Sequence, residues 1–366
     1  MTDTTVYIPL FARAPQLAAA VPHIPLGTYP SAVERIDLDD DGRRIPILVK
    51  RDDTAAEGYG GNKVRKLEFI LADARARGTT RLITAGATGS HHAFATAFHG
   101  RRAGFDASLV LFPQRRTPHV REMLLLDTAA GAELVWASRM ETVPYGVWRA
   151  RLAHRREAVC VVPPGGSSEI GTFGYINGAL ELAGQIEAGA AARPSIVYVA
   201  AGTLGTVAGI CIGLAWAGLE IPIVATRITA RVLTNERRLA ALVRSTLIHL
   251  RRAGATDAPA GAAALALVEL RHDQIGGGYG RATEAGAHAA QVFAAAGLAL
   301  DATYTAKAAA SLLADARTSA SHWTRGGTSG LPLFWHTLSA YRPGELLRDI
   351  DPVELPLPFA RYLAAP

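Results

Sequence analysis

The segment Ile196-Val197-Tyr198-Val199-Ala200-Ala201-Gly202-Thr203-Leu204-Gly205-Thr206 carries the clearest fold signal in the chain. Its first half is β-branched and aromatic, as in a buried strand, and its second half is rich in glycine and hydroxyl side chains, as in a tight turn. The Ala/Gly-rich run over 207–219 predicts a buried helix. Together they predict a βα unit whose turn forms either a cup for an anion or an ordinary helix cap.

The same alternation of strands and helices recurs along the chain. Strands are predicted over 81–85, 107–112, 132–136 and 221–226, helices over 65–77, 91–102, 120–130 and 173–188, and a surface loop over 253–264. Such alternation is typical of α/β proteins with parallel sheets. We therefore predict two three-layer α/β domains with a cleft between them. The larger domain comprises 1–78 and 178–366, and the smaller one comprises 79–177.

Composition narrows the class of protein. The chain has 366 residues, of which 49% are hydrophobic and 19% are charged, which indicates a globular protein and excludes extensive disorder. The net charge of +6 comes from arginines scattered along the chain rather than from a polybasic run. We interpret it as a solvated basic surface or as attraction for a small anionic ligand, and we predict no nucleic-acid partner.

Cysteines and histidines do not form a metal-binding pattern. Cys160 and Cys211 are far apart, and no CxxC motif exists. His91, His92 and His99 lack HExxH-like spacing, so we predict no metal site. The few cysteines and the absence of a signal-peptide pattern at the N-terminus favour a reducing compartment, the cytoplasm.

One uncharged stretch, 195–219, is long enough to cross a bilayer. Gly205, Gly209 and Gly213 within it also have the small-xxx-small spacing of packed membrane helices. However, the stretch divides into a strand, a turn with two hydroxyl side chains and a helix. We therefore predict a buried βα unit and no membrane partner.

Lys63 lies at the start of a predicted helix, directly after Gly60, Gly61 and Asn62. The adjacent glycines would let the backbone approach a bulky ligand closely. The helix dipole disfavours a cation at this position, and a neutral amine or an imine relieves that conflict. Lys66, on the same helix face, could neutralise a phosphate. The alternative interpretation is a pair of solvated surface lysines.

A second glycine-containing turn, Gly86-Ala87-Thr88-Gly89-Ser90, leads into the predicted helix that starts at His91. Its geometry would suit a carboxylate, with the Ser90 hydroxyl presented at the helix N-terminus. The alternative is that Ser90 only caps the helix.

Several of these segments resemble, in chain order, the motifs of one enzyme family. They are Gly60-Gly61-Asn62-Lys63-Val64-Arg65-Lys66-Leu67-Glu68-Phe69, Ala85-Gly86-Ala87 with Ser90, Pro164-Gly165-Gly166-Ser167-Ser168, Gly202 to Gly205, Tyr279-Gly280 and Asp301-Ala302-Thr303-Tyr304-Thr305-Ala306-Lys307. They resemble the pyridoxal-phosphate-dependent 1-aminocyclopropane-1-carboxylate deaminase and D-cysteine desulfhydrase family. The resemblance implies a tryptophan-synthase-β-like fold (fold type II) with pyridoxal 5'-phosphate in the interdomain cleft.

The resemblance also implies catalytic roles. Lys63 would form the covalent imine with the cofactor. Ser90 would hydrogen-bond the substrate or relay a proton. Tyr279 and Tyr304 would line the substrate side of the cofactor.

For cofactor binding, the resemblance implies that Lys66 helps to hold the phosphate. The phosphate would rest on Gly202, Thr203, Leu204, Gly205 and Thr206. Thr305 would face the pyridine nitrogen. His91 replaces an Asn that meets the cofactor's phenolic oxygen in the family, and imidazole can donate the same hydrogen bond.

The implied activity is that of a lyase acting on a small amino acid. We expect β-elimination with release of pyruvate and ammonia, as in D-cysteine desulfhydrases. Thr305 stands where the deaminases carry Glu, and a hydroxyl gives the pyridine nitrogen no charge stabilisation. Unless Thr305 merely caps a helix, this favours β-elimination or β-replacement by a synthase over ring opening. A non-catalytic pyridoxal-phosphate-binding protein is the alternative of another class, and we expect a homodimer.

Overall fold

The computed structural model describes residues 7–318, 330–341, 343–347 and 355–363. The strands in this part of the chain are β1 (Val33–Asp40), β2 (Arg43–Lys50), β3 (Arg81–Ala87), β4 (Asp106–Phe112), β5 (Glu133–Trp136), β6 (Val159–Val161), β7 (Ile196–Ala201), β8 (Ile223–Arg227), β9 (Val268–Arg271) and β10 (Pro332–Trp335). The α-helices are α1 (Pro9–Arg13), α2 (Leu17–Ala20), α3 (Asn62–Ala76), α4 (His91–Arg102), α5 (Pro118–Ala129), α6 (Val143–Ala153), α7 (Glu169–Glu187), α8 (Gly205–Trp216), α9 (Glu236–Arg252), α10 (Gly261–Ala266), α11 (Glu284–Ala295), α12 (Thr305–Thr318) and α13 (Leu357–Ala360).

The strands form two sheets. One has the order β5-β4-β3-β6 and is parallel throughout. The other has the order β1-β2-β10-β7-β8-β9, in which the β1–β2 hairpin is antiparallel and the remaining pairs are parallel. The predicted α/β class with parallel sheets is therefore confirmed. The four-stranded sheet falls within the predicted smaller domain, while the domain boundaries themselves stay a prediction.

The uncharged helix α8 is buried by close packing against α7. A Cβ added to Gly209 would lie 2.7 Å from the Thr172 carbonyl oxygen, and one added to Gly213 would lie 2.7 Å from that of Ile176. The regularly spaced glycines thus let α7 and α8 approach closely. None of the described helices is long and apolar enough to cross a membrane.

A buried ionic cluster ties α3, α7 and β2 together. Arg65 on α3 donates to both Asp52 and Glu181, and Lys50 at the end of β2 donates to Glu181 at 2.5 Å. Burial disfavours the ionised form of Asp52, but the neighbouring Arg65 outweighs it and lowers the pKa of Asp52 to about 2. The cluster holds α3, the helix that begins beside Lys63, against the larger sheet.

Four helices begin earlier than expected, α5 at Pro118 and α8 at Gly205 among them, and one predicted loop is partly helical. The helix expected over 65–77 begins at Asn62, and the one expected over 173–188 begins at Glu169, where Ser168 caps it by accepting from the N–H of Gly171. The expected loop over 253–264 contains the start of α10, Gly261–Ala266. Its alanines have the highest helix propensity of any residue and outweigh the loop signal of the flanking Gly and Pro.

Candidate active site

A cavity of about 820 Å³ is lined by residues that follow strands of both sheets. Ala87 ends β3 and Gly202 follows β7, so the cavity lies at the carboxyl ends of parallel strands, where α/β proteins bind ligands. Most of the predicted site residues line it together. These residues are Lys63, Lys66, Ser90, His91, Gly202, Thr203, Leu204, Thr206, Tyr279 and Tyr304.

The Lys63 amine is a weakly basic group. Lys63 is the second residue of α3, and its Nζ donates to Asn62 Oδ1 at 2.5 Å. Burial lowers the pKa of Lys63 to about 8, although the Asp301 carboxylate acts in the opposite direction. At neutral pH this amine is therefore unprotonated far more often than an ordinary lysine, and the unprotonated amine is the form that attacks a carbonyl carbon.

Gly60 and Gly61 lie too close to other backbone segments to carry a side chain. A Cβ on Gly60 would collide with the Asp53 carbonyl oxygen, and one on Gly61 would lie 2.7 Å from that of Thr337. Gly61 also has a φ of +82°, which side chains disfavour. Both glycines thus make room for the chain's own backbone. Gly60 also lines the cavity, so the close approach of this backbone to a ligand stays a prediction.

The turn between β7 and α8 forms an anion cradle. Leu204 has a left-handed backbone with a φ of +71°, and such turns gather free N–H groups into one concavity. Ser167 Oγ lies 2.7 Å from Thr203 Oγ1 and accepts from the N–H of Gly205 at 3.1 Å. Hydroxyl groups and the N-terminus of a buried helix therefore converge on one edge of the cavity, where an anion is favoured.

Lys66 brings a buried cation to the same cradle. Its Nζ donates to the Gly165 carbonyl oxygen at 3.0 Å, and a Cβ on Gly205 would lie 3.1 Å from it. Burial, and then repulsion by Lys63, lowers the pKa of Lys66 well below its ordinary value. An anion in the cradle would relieve both effects. The donor set and the weakly basic amine of Lys63 fit a cofactor that carries a phosphate and an aldehyde, as pyridoxal phosphate does.

Two predicted residues, Gly205 and Thr305, do not line the cavity, although both lie in the described part of the chain. Gly205 begins α8, and its N–H donates to Ser167 Oγ at the cradle. Thr305 is buried, and its hydroxyl donates to Asp301 Oδ1 at 2.7 Å. Asp301, whose carboxylate also accepts from the N–H of Tyr304, lines the cavity together with Tyr304. The geometry matches the alternative in which Thr305 serves the helix start, and contact with a pyridine nitrogen stays a prediction.

Ser90 caps α4 and also lies at the cavity surface, while its contact with a substrate stays a prediction. Its Oγ accepts from the N–H of Ala93 at 3.2 Å, which caps α4, and the residue lines the cavity. A helix N-terminus with a hydroxyl at the cavity surface suits a carboxylate. Participation of Ser90 in a proton relay stays a prediction.

The three histidines of α4 contact three different atoms, two of which belong to Tyr59. His91 Nδ1 lies 2.5 Å from Tyr59 Oη, and His99 Nε2 lies 2.8 Å from the Tyr59 carbonyl oxygen. His92 Nε2 lies 2.9 Å from Thr84 Oγ1, and burial lowers the pKa of His92 so that it stays neutral. Only His91 and His92 of the three line the cavity. The predicted contact of His91 with the phenolic oxygen of the cofactor stays a prediction.

Tyr279 and Tyr304 face each other in the cavity. Their hydroxyl oxygens lie 2.8 Å apart, and their rings meet edge to face. Burial raises the pKa of both phenols, so both keep their protons at neutral pH. The pair can therefore hold a proton and pass it to a neighbouring group.

Sequence reasoning gave no role to four residues that shape the site. Asn62 bridges Lys63 to Thr206, whose Oγ1 accepts from Asn62 Nδ2 at 3.2 Å. The other three are Ser167 at the cradle, Asp301 in the cavity wall and Tyr59 beside His91. Three of the four, Asn62, Ser167 and Asp301, lie inside the quoted motifs. Their position in those motifs could have indicated that they belong to the site. Tyr59 precedes its motif and had no such indication.

One acidic cluster lies away from the cavity. Within the described ranges, ligand atoms of Asp40, Asp41 and His288 lie close enough together to hold a metal ion. Arg317 already donates to both carboxylate oxygens of Asp40, at 2.6 and 2.7 Å. The arginine explains the cluster as an ion-pair network.

Comparison with known proteins agrees with this geometry. A family model described as "Pyridoxal-phosphate dependent enzyme" matches residues 25–323. The chain is 33% identical to the Nocardicin C-9' epimerase of Nocardia uniformis subsp. tsuyamanensis over 91% of this chain and 97% of that protein. It is 30% identical to a D-cysteine desulfhydrase of Salmonella paratyphi B over 88% of this chain and 97% of that one. The crystal structure of an ACC deaminase homologue has a TM-score of 0.71 and 28% identity, and covers 93% of this chain and 99% of that chain.

Proposed function

The chain belongs to the family of pyridoxal-phosphate-dependent enzymes, with the fold of type II, and we propose that it is a lyase that carries out β-elimination on a small amino acid. Among the relatives above, D-cysteine desulfhydrase is a precedent for this reaction. The observation that carries the proposal is the weakly basic Lys63 amine, which shares one cavity with an anion cradle and a pair of protonated tyrosines.

The cofactor is pyridoxal phosphate, and it supplies an electron sink for negative charge at the substrate Cα. Lys66, Ser167, Thr203 and the backbone N–H groups at the start of α8 would hold its phosphate. Lys63 would bond to its aldehyde carbon. These assignments rest on the donor geometry of the cradle and on the buried position of both lysines.

The remaining side chains of the cavity would bind the substrate and transfer protons. The Ser90 hydroxyl and the N-terminus of α4 would orient the substrate carboxylate. The Lys63 amine, freed when the substrate binds, would take the Cα proton. The Tyr279–Tyr304 pair would give a proton to the group that leaves Cβ. With D-cysteine the reaction consumes water and releases pyruvate, ammonia and hydrogen sulfide.

Epimerisation is a second candidate, because the similarity to Nocardicin C-9' epimerase extends over nearly all of both chains. It begins with the same removal of the Cα proton, and a second group then returns a proton to the opposite face. Ser90 and the tyrosine pair are among the groups of the cavity that can carry that proton. β-Replacement and opening of 1-aminocyclopropane-1-carboxylate would use the same side chains and the same cofactor.

A substrate panel in deuterated water separates these activities. D-Cysteine, L-cysteine, β-chloroalanine, O-acetylserine and 1-aminocyclopropane-1-carboxylate are tested for pyruvate release, inversion at Cα and deuterium incorporation. We expect pyruvate from a substrate with a leaving group at Cβ. Inversion with deuterium uptake and no pyruvate would favour epimerisation, and ring opening alone would overturn the elimination proposal. Cofactor binding without any of these changes would leave a non-catalytic binding protein.

Replacing Lys66 with methionine should weaken binding of pyridoxal phosphate by about 10- to 100-fold, because a buried charge-assisted bond to the phosphate is lost. Equilibrium dialysis of the cofactor against the wild type and Lys66→Met measures the change. Pyridoxal, which lacks the phosphate, is the control ligand, and its affinity should change far less. An equal loss for both ligands would mean that Lys66 does not hold the phosphate.

Covalent attachment of the cofactor should depend on pH through Lys63. Since the pKa of Lys63 is about 8, the attachment rate should rise as pH increases toward 8 and level off above it. An ordinary lysine would keep gaining unprotonated amine up to about pH 10. Borohydride quenching and mass spectrometry of the apoprotein mixed with cofactor give the rate. In Asp301→Asn the midpoint should fall, because the carboxylate that favours protonated Lys63 is gone.

We further propose that the enzyme acts in the cytoplasm as a homodimer. Tyr145 and Trp148, on the surface of α6, are 60% and 55% exposed and stack with ring centroids 5.6 Å apart. An exposed aromatic pair of this kind supports association with a second copy. Sedimentation velocity on the wild type and on Trp148→Glu tests the assembly, and a monomeric wild type would contradict it.

A further inference from the structure

The segment that delivers Tyr279 to the cavity has little conformational preference of its own. Gly276, Gly278 and Gly280 have φ values of +57°, +116° and +72°. Glycines lose more backbone entropy on ordering than other residues, so a run of them stays in one conformation only when its surroundings hold it. The position of the Tyr279 hydroxyl therefore depends on contacts made by the segment 275–280, which we call the tyrosine loop.

Lys307 makes such contacts from α12. Its side chain is fully buried, and its Nζ donates to the carbonyl oxygen of Ile275 at 2.8 Å and to that of Gly278 at 3.4 Å. The ammonium group thus joins the first residue of the tyrosine loop to the residue directly before Tyr279. Lys307 itself does not line the cavity.

Tyr304, the residue directly before α12, holds the tyrosine loop at a second point. Its hydroxyl oxygen lies 2.8 Å from that of Tyr279. One contact fixes the backbone of the loop, and the other fixes the end of the side chain that the loop carries.

We propose that Lys307 is a positioning residue that holds the Tyr279 hydroxyl in the cavity through the backbone of the tyrosine loop. Burial of the ammonium group opposes its charge and lowers the pKa of Lys307. The cost of burying a lysine is offset when its N–H groups donate to acceptors that would otherwise lack a hydrogen bond. Here those acceptors are the two carbonyl oxygens of the tyrosine loop. The catalytic consequence rests on the proposed role of Tyr279, whereas the effect on loop order does not.

The experiment compares Lys307→Met, which removes the donors, with Lys307→Arg, which keeps a cation. Ser311→Ala is the matched control, because Ser311 is one turn further along α12 and its buried hydroxyl accepts from Thr226 instead. Hydrogen exchange of the backbone amides over 276–281 is measured in the holoenzyme. We expect exchange to be about 10-fold faster in Lys307→Met, to be restored toward the wild-type rate in Lys307→Arg and to be unchanged in Ser311→Ala.

Turnover is measured on the same proteins and combined with Tyr279→Phe. Lys307→Met should lower kcat by about 10- to 100-fold with a smaller change in KM, because a displaced catalytic group costs rate more than binding. In the Tyr279→Phe background the same substitution should add little, since the hydroxyl that it positions is already absent. If Lys307→Met does not fold, Lys307→Gln replaces it throughout.

The outcomes separate this inference from the proposed function. Unchanged exchange over 276–281 in folded Lys307→Met would overturn the positioning role whatever the enzyme's activity is. Additive effects of Lys307→Met and Tyr279→Phe on kcat would overturn it as well. Faster loop exchange in a protein that turns over none of the tested substrates would uphold the positioning role and reject the proposed function.

Discussion

Lys63→Ala is expected to lower turnover by about 10³-fold or more and to abolish covalent attachment of the cofactor. Among the described residues of the cavity, Lys63 is the amine that lies at the start of α3 and has a pKa of about 8, and the substitution removes it. It removes both the group that bonds to the cofactor's aldehyde and the group proposed to take the Cα proton. Borohydride reduction followed by peptide mass mapping identifies the modified residue, and steady-state kinetics gives the loss of activity.

Lys63→Arg is the matched variant for this test. It keeps a cation and a long side chain in the cavity, but a guanidinium group stays protonated and does not attack a carbonyl. We expect it to be as inactive as Lys63→Ala. Lys66→Ala is the second control and should still become covalently modified at Lys63. If Lys66 became modified in the Lys63→Ala protein, the assignment of the covalent bond to Lys63 would be wrong.

The parts of the site that could be predicted from the sequence are those encoded by neighbouring residues. The anion cradle follows from a strand, a glycine turn and a helix that are consecutive in the chain. Lys63 could be singled out because its conflict with the helix dipole is a property of that helix alone. Each of these local patterns led to residues that line one cavity.

What could not be predicted are contacts between distant segments. Asn62 meets Thr206 and Ser167 meets Thr203 across separations of 144 and 36 positions in the chain. Motif position also leaves orientation open. Thr305 lies inside a segment that resembles a known motif, yet its hydroxyl bonds to Asp301 and that carboxylate lines the cavity.

The ionic cluster around Arg65 also joins distant segments of the chain. Among single substitutions in this cluster, we expect Asp52→Asn to cause the largest loss in the free energy of unfolding. Asp52 accepts hydrogen bonds from Arg65, Ser31, Tyr175 and Trp335, and both Asp52 and Arg65 are fully buried. Asparagine keeps the shape but loses the negative charge, and it turns one acceptor into a donor that faces other donors. Breaking one partner of a buried ion pair costs about 3–5 kcal/mol, and we expect a loss of that size in urea unfolding.

Asp37→Asn provides the matched control, because it makes the same substitution in the exposed ion pair with Arg44 and should leave the unfolding midpoint unchanged. The pH dependence gives an independent check. The pKa of Asp52 is about 2 in the folded protein, below the value of about 3.9 for a free aspartate. Its contribution is therefore complete above about pH 4 and is lost as the pH falls toward 2, and in Asp52→Asn this part of the acid destabilisation should disappear.

The same variant tests how the cluster supports the site. Arg65 follows Lys63 by two positions on α3, so a loss of its partner should loosen the start of that helix before the chain unfolds. In folded Asp52→Asn at low urea, covalent attachment of the cofactor to Lys63 should therefore slow, while Asp37→Asn keeps the wild-type rate. If the attachment rate equalled that of the wild type, the cluster would stabilise the fold without positioning Lys63. The Gly61 turn and the contact with Asn62 would then be sufficient to hold Lys63 in place.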